Sequence, residues 1–125
     1  MARKVLFSSK CSLKSHFDSV RGLQFLPSLN ALASASEDCT LKIWEVSKFQ
    51  TLKEAEGTSN FDPYLTIRGN SSPIMCLTGL QSCSNQITDN LLLTGTVSGV
   101  LKAWKVPPPS QIDQYGKDKD QSYCI

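Results

Sequence analysis

The chain contains one unit twice, and a repeated unit of this size leaves few folds open. The first copy runs Lys14-Ser15-His16-Phe17-Asp18-Ser19-Val20-Arg21-Gly22-Leu23 and then Leu32-Ala33-Ser34-Ala35-Ser36-Glu37-Asp38-Cys39-Thr40-Leu41-Lys42-Ile43-Trp44. The second runs Arg68-Gly69-Asn70-Ser71-Ser72-Pro73-Ile74-Met75-Cys76-Leu77 and then Leu92-Leu93-Thr94-Gly95-Thr96-Val97-Ser98-Gly99-Val100-Leu101-Lys102-Ala103-Trp104. Trp44 and Trp104 stand 60 residues apart. The excess over a repeat of ~40–45 residues lies mostly in two polar inserts, 47–62 and 81–90.

Each copy reads as short strands. Val20, Leu23 and Phe25 begin a strand that stops at Pro27. Leu32 to Ser36 is small and apolar, and Glu37-Asp38-Cys39 makes a turn. Leu41 and Ile43 then alternate with Lys42 and Trp44 at the period of two expected of a strand, and Leu65-Thr66-Ile67 forms a fourth. Helix content should be low. The expected fold is all-β: two antiparallel four-stranded blades of a β-propeller, incomplete and not closed. Residues 1–10 form an N-terminal segment and 11–106 the two blades. Within the blades, repeat 1 covers about 14–46, the insert 47–62 and repeat 2 about 63–106. One spare strand is expected over about 11–14. Residues 107–125 are expected to be a polar, disordered tail.

At 125 residues and 40 % apolar content, the chain suffices for one ordinary core. Charged residues make up 19 %, and thirteen Lys and Arg against eleven Asp and Glu leave +2. That balance offers no basic face for nucleic acid. No apolar run approaches the ~20 residues needed to cross a bilayer, and the N-terminus does not read as a secretory signal. The expected location is cytoplasmic. Five cysteines without a C-x-x-C pair, beside one histidine, assemble no zinc signature, so neither metal nor other cofactor is expected. Asn70-Ser71-Ser72 fits a glycosylation acceptor only by composition.

His16, the run Ser34-Ala35-Ser36-Glu37-Asp38 and Lys42-Ile43-Trp44 resemble a WD repeat, with Glu45 where that repeat usually has Asp. The segments 15–21 and 35–42 are similar to the first propeller repeat of the striatin family. Pro63-Tyr64-Leu65-Thr66-Ile67-Arg68 resembles the lead-in to that family's second repeat, and 107–120 resembles the linker after it. In WD repeats a buried tetrad locks each blade, and the resemblance maps it onto His16, Ser34, Asp38 and Trp44. An indole N–H only donates and a carboxylate only accepts, while Ser and His pass hydrogen bonds between them. The second copy departs from the pattern: Asn70 stands for the His and Ser98 for the Asp, while Thr94 and Trp104 remain. The second blade should therefore be the weaker.

The resemblance implies a scaffold that binds other proteins, in a family whose members organise a serine/threonine phosphatase with kinases. That family's coiled coil and calmodulin-binding segment lie upstream of its propeller, and nothing in this chain matches them. The expected partner-binding face carries Phe17, Ser19, Arg21 and Glu37 from the first copy, with Val20 and Leu23 as its packing set. The second copy adds Pro73 and Met75, beside Ser71 and Val97. Two blades leave open edges and faces that favour self-association. A truncated product is favoured, ahead of a partial reading frame or a half-module completed by copies or by a partner. Two other functions remain open: an unrelated WD protein with other partners, and a serine hydrolase using Ser34, His16 and Asp38, for which no glycine-rich elbow or oxyanion hole is evident.

The unequal tetrads generate a first prediction. Asp38→Ala should cost about 2–4 kcal/mol, the scale of orphaning buried charge-assisted hydrogen bonds. Ser98→Ala should cost less than about 1 kcal/mol. Urea titration reads both, and equal losses would contradict the asymmetry.

Overall fold

A computed structural model describes residues 11–50, 61–80 and 90–112. The first sheet has the order β1-β2-β3-β4, built from β1 (Val20–Leu26), β2 (Ala31–Ser36), β3 (Leu41–Glu45) and β4 (Leu65–Ile67). The second has the order β5-β6-β7, from β5 (Ile74–Leu80), β6 (Asn90–Thr96) and β7 (Leu101–Val106). Every described pair is antiparallel. Each sheet is one blade. The second has three strands among the described residues, not the four expected. Helix is confined, among the described residues, to one turn, α1 (Ser47–Gln50), and two short 3-10 segments. The ends of the first insert approach each other, with Phe49 and Phe61 in edge-on contact at 5.0 Å between ring centres.

Small residues set the spacing between the blades. In the first sheet Leu26, Ala31, Ala33, Ala35, Leu41, Ile43, Leu65 and Ile67 share one buried core with Ile74, Leu92, Trp104 and Val106 of the second. Glycines let β1 and β5 meet. A Cβ on Gly22 would lie 2.7 Å from the Cβ of Leu77, and one on Gly79 would lie 3.1 Å from the Gln24 side chain. Two polar contacts tie the outer parts together: Ser28 Oγ donates to Asn90 Oδ1 at 2.5 Å, and Tyr64 Oη donates to the Pro107 carbonyl at 3.1 Å.

Three further expectations need correction. Val20 and Leu23 do not pack: Leu23 is 63 % exposed, and Val20 and Phe25 are also exposed. Through the pairs Leu23↔Ser34 and Phe25↔Leu32, Leu23 and Phe25 share the face of Ser34, which points away from the second blade, and no described sheet covers it. The tail does not begin in disorder at residue 107. Pro109–Gln111 forms a 3-10 turn and Ile112 packs against the core, whereas residues 113–125 lie outside the described residues. Residues 11–16, which include the expected spare strand, run as irregular backbone.

Each blade turns between its second and third strands through one residue in the left-handed region, Cys39 (φ 72°) and Gly99 (φ 85°). The close approach at Gly22 carries a prediction. Gly22→Ala should cost about 1–3 kcal/mol, because the added methyl meets the β5 backbone as well as Leu77. A neutral change in the urea midpoint would mean that the blades slide apart freely.

Candidate functional site

The most connected polar group in the first blade is the Asp38 carboxylate. It sits in the β2–β3 turn with its side chain 7 % exposed. Oδ2 accepts from the Phe17 N–H at 2.9 Å and from His16 Nδ1 at 2.9 Å. Oδ1 accepts from the Thr40 N–H at 2.9 Å and from the Thr40 hydroxyl at 2.5 Å. Four donors on two oxygens satisfy the carboxylate completely. Burial alone would raise its pKa, but hydrogen bonds from Thr40, Phe17 and His16 together outweigh burial and hold the carboxyl well below the usual range.

From Asp38 the chain of bonds runs inward. In the neutral imidazole, Nδ1–H donates to the carboxylate, so Nε2 accepts from the Ser34 hydroxyl at 2.7 Å. Ser34 Oγ in turn accepts from the Trp44 indole N–H at 2.9 Å. The path joins the segment before β1, strand β2, the β2–β3 turn and strand β3. Lys42, buried on the same face, reaches Thr66 Oγ1 at 3.4 Å. Burial, with help from Arg68, lowers its pKa, while Asp38 opposes the shift.

A Ser–His–Asp line at these distances has the shape of a hydrolase triad, but the setting differs. Ser34 is 4 % exposed in the middle of a sheet, and its oxygen is occupied by the Trp44 N–H. A nucleophile must reach a carbonyl carbon beside oxyanion donors. Here the hydroxyl faces inward and serves as a relay between an indole and an imidazole.

In the second blade Trp104 Nε1 donates to Thr94 Oγ1 at 2.8 Å, and among the described residues the path stops there. Asn70 is buried with neither side-chain polar atom hydrogen-bonded. Ser98 turns outward, within 2.7 Å of Ser72 Oγ and 3.0 Å of Thr96 Oγ1. Burial of Asn70 also speaks against its use as a glycosylation acceptor.

At the edge formed by these turns the residues of the expected partner face are displayed. Phe17 is 94 % exposed, although its own N–H is pinned by Asp38. Ser19 and Arg21 are exposed as well, and Arg21 lies 3.3 Å from Glu37. The pairing register shifts between Val20 and Gly22, and again between Ile74 and Cys76, which leaves Arg21 and Met75 as extra residues. Such bulges re-aim a side chain. The Glu37 N–H donates to the Ser19 carbonyl and the Val97 N–H to the Pro73 carbonyl, so the turns match. A charged pair, Arg21 and Glu37, therefore occupies in one blade the places that apolar Met75 and Val97 occupy in the other. Sequence reasoning did not find the bulges; Gly22 inside a strand pattern was the available signal.

Two predictions follow from the bonding around Asp38 and Asn70. Because Asp38 has a depressed folded pKa, its stabilising effect is complete above about pH 5 and is lost as pH falls through the unfolded value towards the folded one. The stability margin of wild type over Asp38→Asn should therefore shrink from about pH 5 to about pH 2.5, and a constant margin would contradict the assignment. In the second blade, Asn70→His with Ser98→Asp should rebuild the missing link. A double-mutant cycle should give favourable coupling of about 1–3 kcal/mol, and additivity would mean that the groups do not meet.

Comparison with known proteins agrees with this geometry. The family model described as "WD domain, G-beta repeat" matches residues 7–45. Human striatin is 32 % identical over 114 residues, covering 91 % of this chain and 14 % of striatin. Human striatin-3 is 33 % identical over 109 residues, 87 % of this chain and 13 % of its own length. The striatin homolog of Dictyostelium discoideum is 32 % identical over 106 residues, 85 % of this chain and 13 % of its own. The chain thus spans a small part of the relatives it matches. Among solved structures, the computationally designed Ika4 protein superposes with a TM-score of 0.54 at 21 % identity, over 81 % of this chain and 49 % of that one, which is a likeness of fold. Residues 7–45 thus match a WD repeat, the fold is that of two antiparallel blades, and the chain is similar over most of its length to the striatins.

Proposed function

We propose that the chain is a protein-interaction module without chemistry of its own, presenting Phe17, Ser19, Arg21, Glu37, Pro73 and Met75 to a partner protein. The observation that carries this reading is Phe17: an aromatic ring left 94 % exposed on a backbone fixed by a buried carboxylate. Ordering a large side chain on binding costs less when its backbone is already held. Aromatic and arginine side chains are enriched among the residues that dominate interface energy. The tetrad residues His16, Ser34, Asp38 and Trp44 act in this reading as the frame behind the display, and the shorter set Asn70, Thr94, Ser98 and Trp104 as a looser one.

The similarity to striatins supports a place in an assembly of a phosphatase and kinases, in the cytoplasm. No described helix is long and apolar enough to cross a membrane. Open blade edges make self-association part of the same reading. The test is a double substitution, Phe17→Ala with Arg21→Ala, in the 125-residue chain. Affinity for protein partners captured by wild type should fall by about 2 kcal/mol or more, roughly thirtyfold, with unchanged dichroism from Trp44 and Trp104. Unaltered affinity for every captured partner would place the binding surface elsewhere.

A further inference from the structure

Among the described residues the two blades differ by one strand, and the repeat shows which one. Strand β4 pairs with β3 through Leu41↔Ile67, Lys42↔Thr66 and Ile43↔Leu65. It is the chain's approach to the second blade, ending three residues before Asn70. Counted back the same way from His16, the approach to the first blade is Cys11-Ser12-Leu13. Those residues alternate between half-buried and exposed and belong to no described strand. At the other end of the fold, β7 has β6 on one side and no described strand on the other. Its first residue, Leu101, is 80 % exposed.

Resting on the self-association reading above, we propose that residues 11–13 of one copy complete the second blade of another as a fourth strand on β7. The β3–β4 pairing transfers directly and gives the register Leu13↔Leu101, Ser12↔Lys102 and Cys11↔Ala103. Strand addition of this kind satisfies the backbone groups of an open edge. The open sheet faces then meet in the manner of the internal contact. Within the chain, Gly22 receives Leu77 and Gln24 lies on Gly79. Between copies, Cys76 and Thr78 take the places of Gly22 and Gln24, while Leu23 and Phe25 take those of Leu77 and Gly79. The long side chain changes sides, from Gln24 over Gly79 to Phe25 over Thr78. Cys76 leaves room by leaning over Gly95, where a Cβ would lie 2.6 Å from its sulfur. The contact is head-to-tail, so it repeats until it closes. With two blades per copy and propellers of about 4–8 blades, closure needs about two to four copies.

The test mixes isotopically heavy Ala103→Cys chain with light wild-type chain and oxidises the mixture with copper phenanthroline. Peptide mass spectrometry should find light Cys11 joined to the thiol introduced at position 103 of the heavy chain. Lys102→Cys in place of Ala103→Cys should give at least about tenfold less, because its side chain points to the other face of the strand. A link from Cys11 to position 103 confined to heavy chain would mean pairing within one molecule and would overturn the proposal. No such link would overturn it equally. Sedimentation of the unmodified chain covers the case of a variant that does not fold: about two to four times 13.7 kDa is expected, reduced to one by Ser12→Pro, and a wild-type monomer overturns the proposal. The link should persist in Phe17→Ala with Arg21→Ala, which separates this outcome from failure of the partner-face reading.

Discussion

A buried carboxylate without partners would be among the costliest groups this fold could hold, and Asp38 has four donors around it. Two parts of the chain about twenty residues apart converge on it or on its relay: the stretch before β1 through His16 and Phe17, and β2 with its following turn through Ser34 and Thr40. Removing the charge would leave His16 without its acceptor and Ser34 bonded to an unanchored ring. The interaction is therefore a junction rather than a pair, and the first blade's geometry at its exposed edge depends on it.

The same junction links stability to recognition. Phe17 carries no packing load, being almost wholly exposed, yet its amide belongs to the buried network. Neighbouring positions are aimed by bulges, which place Arg21 and Met75 outside the ladder. In the second blade, Asn70 is too short to act as His16 does, and Ser98 supplies no charge. The Trp104–Thr94 bond survives because it needs only adjacent strands in register, as the pairs Leu92↔Trp104 and Thr94↔Lys102 provide. What is lost is the tie from sheet to turn. That blade leans instead on its neighbour, through Leu77 at Gly22 and through Trp104 and Leu92 in the shared core.

Much of this was legible in the residues. Period-two alternation placed β3, the paired tryptophans exposed the repeat, and the resemblance to a WD repeat picked out His16, Ser34, Asp38 and Trp44, whose donors and acceptors complement one another. Alternation failed at the start of β1, because a bulge adds one residue and shifts every later side chain by a face. Val20 and Leu23 do share one face, and they are exposed because no described sheet covers it. Strand number in the second blade was beyond local pattern, since a fourth strand is set by which segment pairs with β7. The order of residues 107–112 depends on the Tyr64–Pro107 bond and on Ile112, contacts between segments that propensity does not report.

Exchange of labile protons separates the two blades most directly. In the first, the Trp44 indole N–H and the Phe17 amide end on one connected network, so they should open together. In the second, the Trp104 indole N–H ends at Thr94, with no further bond among the described residues. Hydrogen exchange followed by NMR should therefore show Trp44 and Phe17 exchanging slowly and at similar rates, with the Trp104 indole faster. A Trp104 indole as well protected as that of Trp44, or a Phe17 amide exchanging freely, would contradict a blade held through Asp38.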